Sequence, residues 1–163
     1  GSIDGSVLID KGKEISPLDL IEVYVKEPPI DYDFQKENLL LDQSYPIKFI
    51  KKFDLDEFLK FYPSENHNRI FGSKWGFIKE DTYGFDSINS SLIFIEVEEL
   101  QISEKNKASF FHNYNKYQQF SITDPQYRQL NQNIDSAYLV ISFPETEFKD
   151  YYYKFIAKIF EKE

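Results

Sequence analysis

The chain lacks cysteine and methionine altogether and has only two histidines, His67 and His112, among its 163 residues. Disulfides, thiol catalysis and cysteine-based zinc sites are therefore excluded, and imidazole chemistry is confined to two widely separated positions. No apolar run approaches the ~20 residues that cross a bilayer as a helix. No glycine-rich phosphate loop or nucleophile elbow is present, because the six glycines are scattered and Gly72 and Gly84 stand alone. Asp31-Tyr32-Asp33 and Asp54-Leu55-Asp56-Glu57 offer carboxylates, but neither has the glycine turn and distal glutamate of a calcium loop. The expectation is a domain with no metal and no cofactor.

Aromatic rings are abundant: 16 phenylalanines, 12 tyrosines and a single tryptophan, Trp75. Acids are the second excess. The formal charge is −9 and is spread evenly, with 15 acids and 11 bases in residues 1–80 and 13 acids and 8 bases in residues 81–163. An acidic surface repels phosphate and anionic lipid, so neither nucleic acid nor a membrane surface is expected as partner, whereas a basic protein is electrostatically allowed. Gly1-Ser2 reads as a cloning scar and residues 1–13 as scar plus flexible tether, with residues 14–163 forming one domain. A targeting or anchoring element ahead of that tether would put the protein outside the cytoplasm, as a secreted, lipoprotein or anchored species; a cytoplasmic location is the alternative.

The hydrophobic pattern predicts an α+β fold, a mainly antiparallel sheet with a C-terminal helix packed on it. Ile21, Val23 and Val25 alternate as a strand over about 20–27, stopped by Pro28-Pro29. Residues 45–53 are a second strand, and Asp54 caps a short helix carrying Phe58, Leu59 and Tyr62 up to Pro63. Residues 69–79 read as a strand interrupted at Gly72 and Gly76, where a bulge or close backbone approach is expected. The strongest strands are 91–100 and 137–143. Between them, 104–120 reads as a helix or a strand pair, and Thr123-Asp124-Pro125 as a helix start. Phe148, Tyr152, Phe155 and Ile159 fall on one helical stripe after Glu145 or Thr146, and are expected to close the core.

The run from Glu80 to Glu104 contains seven acids and no lysine or arginine. On a strand, Glu96 and Glu98 share a face with Phe94, opposite Ile93, Ile95 and Val97. We therefore expect a partner-binding surface made of Asp81, Tyr83, Asp86, Glu96, Glu98 and Glu99, with Tyr83 or Trp75 as an aromatic anchor. The competing structural reading is a solvated strand end whose charges discourage edge pairing.

Three functions fit this pattern. The leading one is a non-catalytic acidic binding domain that captures a protein with a basic site, as a toxin-neutralising immunity protein does. A carbohydrate-binding or surface-attachment module would use exposed aromatics, for which Trp75, Tyr114, Tyr117 and Phe120 amid Asn and Gln are the candidates, although core packing is the favoured reading of these rings. A hydrolase would use Glu96 and Glu98 as a carboxylate pair ~7 Å apart, which requires one of them desolvated.

Overall fold

A computed structural model describes residues 8–9, 12–26 and 39–163. Pro28-Pro29, Asp31-Tyr32-Asp33 and most of the expected tether lie outside the described residues. The chain divides into two compact units, Gly1–Tyr32 with Glu37–Pro63, and Asp33–Lys36 with Ser64–Glu163.

In the first unit, β1 (Leu8–Ile9) pairs antiparallel with β2 (Lys13–Glu14), and β3 (Asp19–Glu22) with β4 (Lys48–Lys52). Opposite charges face each other across the second ladder. Asp19 lies 3.4 Å from Lys52 and Glu22 lies 3.2 Å from Lys48, supporting a ladder whose β4 side chains are all exposed. The strand expected over 20–27 is shorter, with Val25 contributing one bridge to Leu41. Helix α1 (Leu55–Phe61) begins as expected: the Asp54 carboxylate accepts from the Glu57 amide at 2.7 Å, and Asp56 and Glu57 occupy the positive end of the dipole.

The second unit is built from β5 (Phe77–Ile78), β6 (Leu92–Ser103), β7 (Lys107–His112), β8 (Asn115–Ile122), β9 (Gln132–Ser142), β10 (Tyr152–Tyr153) and β11 (Phe155–Glu161). Five of these close a barrel in the order β11-β8-β7-β6-β9. β6 pairs antiparallel with both β7 and β9, β11 pairs antiparallel with β9, and β11 and β8 close the barrel in parallel. Alternate side chains point inward, so Ile93, Ile95 and Val97 of β6 meet Phe110, Tyr117, Phe120, Leu139, Ile141 and Ile156 in one core.

Closure needs bent strands, and the alternation is broken where bending occurs. Inward positions skip from Val97 to Leu100, from Tyr117 to Phe120 and from Ile156 to Ile159. Register shifts accompany all three gaps, and Glu99 and Gln119 take left-handed backbone at φ 50° and 64°. Each extra residue is a bulge that increases local twist.

This architecture overturns the expected α+β class and its C-terminal helix. The described chain is mostly β, and its single α-helix is short and lies mid-chain. The terminal stripe was misleading because the bulge at Ala157 spaces buried Ile156 and Ile159 three residues apart, a helical interval produced by a strand. Phe148 is exposed and Phe155 only half-buried, so neither forms the expected core anchor. Residues 104–120 form the strand-pair alternative, the β7–β8 hairpin, with Asn113 and Tyr114 both at positive φ in its two-residue turn. Asp124 caps no helix. It accepts from the Gln126 amide at 3.1 Å and reaches across to the Ile159 amide of β11 at 3.0 Å.

Residues 69–79 are mainly irregular, with a 3₁₀ turn at Ile70–Gly72 before β5. The close approach expected at a glycine is real. A Cβ on Gly76 would stand 2.0 Å from the Gln119 carbonyl oxygen. Among the described residues no helix is long and apolar enough to cross a membrane, and no group of three or more His, Asp or Glu is arranged to hold a metal ion.

Candidate functional site

Two surfaces of the barrel unit gather chemistry. The first lies at the hairpin end of β7 and β8. Glu96 and Glu98 project outward because their neighbours Ile95 and Val97 project into the core, and the bulge at Glu99 turns a third carboxylate to the same exterior. With Asn66, Phe111, His112, Asn113 and Tyr114 they line a hollow of about 730 Å³. Tyr114 is entirely exposed at the hairpin tip. Glu96 is ion-paired with Lys162, whereas Glu98 and Glu99 have no ion-pair partner among the described residues.

His112 forms the buried wall of this hollow. Its Nε2 accepts the His67 backbone N–H at 3.0 Å, which leaves Nδ1–H to donate to the Glu96 carbonyl at 2.7 Å. Burial holds its pKa below the ordinary imidazole value, the Glu96 carbonyl opposing that shift only in part. A neutral His112 adds no positive charge beside Glu98 and Glu99.

Of the residues singled out in the sequence, Glu96, Glu98 and Glu99 are brought together here. Asp81, Tyr83 and Asp86 sit in the turn leading to and entering the 3₁₀ segment Phe85–Ser87, and do not line the hollow. Trp75 belongs to the second surface. Of the rings read either as core or as exposed ligands, Tyr117 and Phe120 are fully buried core, whereas Tyr114 is exposed.

The second surface follows from strand periodicity. β5 and β10 pair in the register Tyr153↔Phe77 and Tyr152↔Ile78. Ile78 and Tyr152 turn toward the core, so Phe77 and Tyr153 turn outward, joined two residues away by Trp75 and Tyr151. Ring centroids lie 6.1 Å apart for Trp75–Phe77, 5.3 Å for Phe77–Tyr151 and 6.0 Å for Tyr151–Tyr153, with Phe148 6.4 Å beyond Tyr153. Lys79, Lys107 and Lys149 stand 5.0, 5.9 and 5.3 Å from the Tyr151, Tyr153 and Phe148 rings. Sequence reasoning flagged Trp75 here and missed the rest. The alternations Trp75-Phe77-Lys79 and Tyr151-Tyr153 were visible, but nothing local says that these two segments pair.

The ledge is held from behind. The Gly76 amide donates to the Gln118 carbonyl at 2.8 Å and the Gln118 amide to the Lys74 carbonyl at 3.1 Å. Ser73 Oγ donates toward the Trp75 and Phe77 carbonyls at 3.1 and 3.0 Å. Lys154, with no exposed surface, donates to the Ile70 and Ser73 carbonyls and to Ser73 Oγ at 2.6, 3.1 and 2.7 Å.

A closed five-stranded barrel whose first strand pairs with the second and fourth, and whose fifth closes in parallel on the third, is an OB fold, a scaffold that binds ligands on its strand faces and connecting loops. The dual OB-containing domain family matches residues 4–159, and the chain belongs to that family. Comparisons with curated proteins and with solved structures returned no match.

Proposed function

We propose that the protein is a non-catalytic recognition domain that captures a protein partner by its basic site, with the hollow at the β7–β8 hairpin end as the docking surface. The observation that carries this reading is the convergence of Glu96, Glu98 and Glu99 around an aromatic rim, Phe111 and the fully exposed Tyr114. Two of the three carboxylates lack a cation within the described chain. Glu98 and Glu99 beside a neutral His112 attract cations during encounter, and an exposed tyrosine provides a rigid apolar anchor once contact is made. Catalysis by the Glu96–Glu98 pair is disfavoured, since Glu96 is ion-paired and Glu98 is exposed, and neither is desolvated as a general acid must be. Neutralisation of a basic toxin by an extracytoplasmic immunity protein is the setting we propose for such a surface, with a cytoplasmic location as the alternative.

The test uses the product of the adjacent gene as partner and follows association by surface plasmon resonance. Glu98→Lys combined with Glu99→Lys should leave the fold intact and slow association by about tenfold or more at low salt, with the gap narrowing as salt rises. Equal association rates for wild type and double variant would remove the hollow from the interface.

A further inference from the structure

β7 pairs with β6 only from Glu98 onward, which leaves the upstream part of that edge to another cover. A strap, residues 65–68, supplies it. Glu65 makes a single parallel bridge to Ile95: its amide donates to the Phe94 carbonyl at 2.8 Å, and its carboxylate accepts from the Phe94 amide at 3.4 Å. At the other end, the Tyr117 hydroxyl donates to the Asn68 carbonyl and the Asn113 carboxamide to the Asn68 side-chain oxygen, both at 3.0 Å. Between these ties the His67 amide donates to His112 Nε2 at 3.0 Å, and Asn66 lines the acidic hollow.

Of these fastenings, the imidazole is the one that a proton reverses near neutral pH. A neutral imidazole has one donor and one acceptor, and both are in use here, Nδ1–H on the Glu96 carbonyl at 2.7 Å and the Nε2 lone pair on the His67 amide. An imidazolium has two donors and no acceptor. A second proton therefore sets an N–H against the His67 N–H at a ring that is buried, where an unmade hydrogen bond is costly. One of the two donors has to leave. The ring is the less free, because His112 belongs to β7 and its Nδ1–H stays satisfied.

We infer that residues 65–68 are an acid-operated latch on the docking hollow: when His112 takes up a proton, the strap detaches from the barrel and the hollow loses its grip on a basic partner. The loss of grip rests on the docking reading proposed above. Detachment takes Asn66 out of the wall, and the new positive charge stands beside Glu98 and Glu99, opposing the cation that they attract.

The groups around the ring fix the direction. From the strap, His67 faces His112 at 6.4 Å between ring centroids, with Glu65 Oε2 2.9 Å from the His67 Nε2. β6 contributes Glu98, Glu99 and Glu96, the last paired with Lys162. β8 contributes the Tyr117 ring at 6.2 Å, on which Arg69 also bears, and Lys116, which stands over Phe111. Burial holds His112 below the ordinary imidazole value while the strap is closed, with the Glu96 carbonyl opposing and His67 adding to the shift. A detached strap gives the ring to water, where it binds a proton near pH 6.5. Closure is therefore fully favoured above that pH and weakens as pH falls below it, by up to about tenfold per unit, until the closed ring titrates as well. A proton on the His67 ring strengthens its pair with Glu65 inside the strap and removes no acceptor from the fastening.

Hydrogen exchange of the intact chain, followed residue by residue by NMR from pH 7.0 to 5.0 with no partner present, tests the latch. After correction for intrinsic rates, the amide at position 67 should lose protection by about fivefold or more over that range in the wild type. In His112→Gln, whose carboxamide accepts and donates but does not titrate, the loss should be absent. In His67→Gln, which keeps the same backbone donor, the loss should persist, and this variant remains informative if His112→Gln folds poorly. An equal loss in wild type and His112→Gln overturns the inference, as does its disappearance in His67→Gln. So does an amide at position 67 that exchanges only as slowly as that of core Leu139, because the strap would then open only with the whole barrel. Dissociation of the adjacent-gene product, read by surface plasmon resonance, should quicken by a similar factor between pH 7.0 and 5.0 for wild type and not for His112→Gln; equal wild-type rates at the two pH values overturn the control of docking. The exchange measurement needs no partner, so the latch can fail while the docking reading stands, and the comparison of wild type with Glu98→Lys and Glu99→Lys can fail while the latch stands.

Discussion

Replacing Lys154 by methionine should convert a strongly pH-dependent stability into a flatter one. The ammonium has no exposed surface and, among the described residues, no carboxylate paired with it; its neighbours are two carbonyls, the Ser73 hydroxyl and the Phe120 ring 5.7 Å away. Burial pushes its pKa from 10.5 down to about 6. Between those values the unfolded chain holds a proton that the folded chain does not, so unfolding free energy rises with pH by ~1.4 kcal/mol per unit and is flat on either side of the window. From pH 10 to pH 7 the wild type therefore loses about 4 kcal/mol through this group. Methionine keeps the packing stem and removes the titration, but leaves acceptors unpaired at a pH-independent cost of about 1–3 kcal/mol each. The measurement is urea unfolding of both proteins at pH 7, 8, 9 and 10, followed by Trp75 fluorescence; other titrating groups cancel in the difference. The methionine variant should gain about 4 kcal/mol relative to wild type as pH falls from 10 to 7. Parallel curves would refute the reasoning, and would mean that three oxygen acceptors and an aromatic face hold the ammonium charged in the core.

Gly76→Ala should cost at least ~3 kcal/mol, since the new methyl group meets backbone atoms of Gln119 and Phe120 at 2.0–2.6 Å; thermal denaturation should show a fall of ~6–12 °C, and an unchanged midpoint would mean the two segments separate freely. Asp124→Ala should cost ~3 kcal/mol in chemical denaturation, because the buried Ile159 amide loses its acceptor and Lys158 its ion-pair partner 3.3 Å away; Asp124→Asn, which keeps one acceptor, should recover part of the loss, and equal destabilisation by both would locate the effect in charge alone.

The parts of this fold that could be read from sequence are those whose signals are local. Helix α1 carries its own cap at Asp54 and its own stop at Pro63, and β6 and β9 announce themselves by dense β-branched runs. β11 was unreadable for a specific reason. A bulge imitates helical spacing, and nothing within Phe155–Glu161 reveals that β8 and β9 stand ready on either side. The candidate sites divide along the same line. The carboxylates of the acidic hollow are close neighbours on one strand, so their clustering was visible. The ledge joins residues 75–79, 107 and 148–153, which only the finished pairing brings together.

The position of β11 has a consequence for how the protein is made. β8 is complete well before β11, and the parallel pairing of Ser121 with Phe155 cannot form until about 34 further residues have been synthesised. At roughly 5–20 residues per second, the nascent sheet waits roughly 2–7 s with β8, and later β9, presenting an unpaired edge backed by apolar side chains. Such an edge is a template for pairing with another chain. The period of greatest exposure to misassembly is thus set by the ribosome's pace through residues 123–154, and a pause placed there would lengthen it without altering the finished barrel.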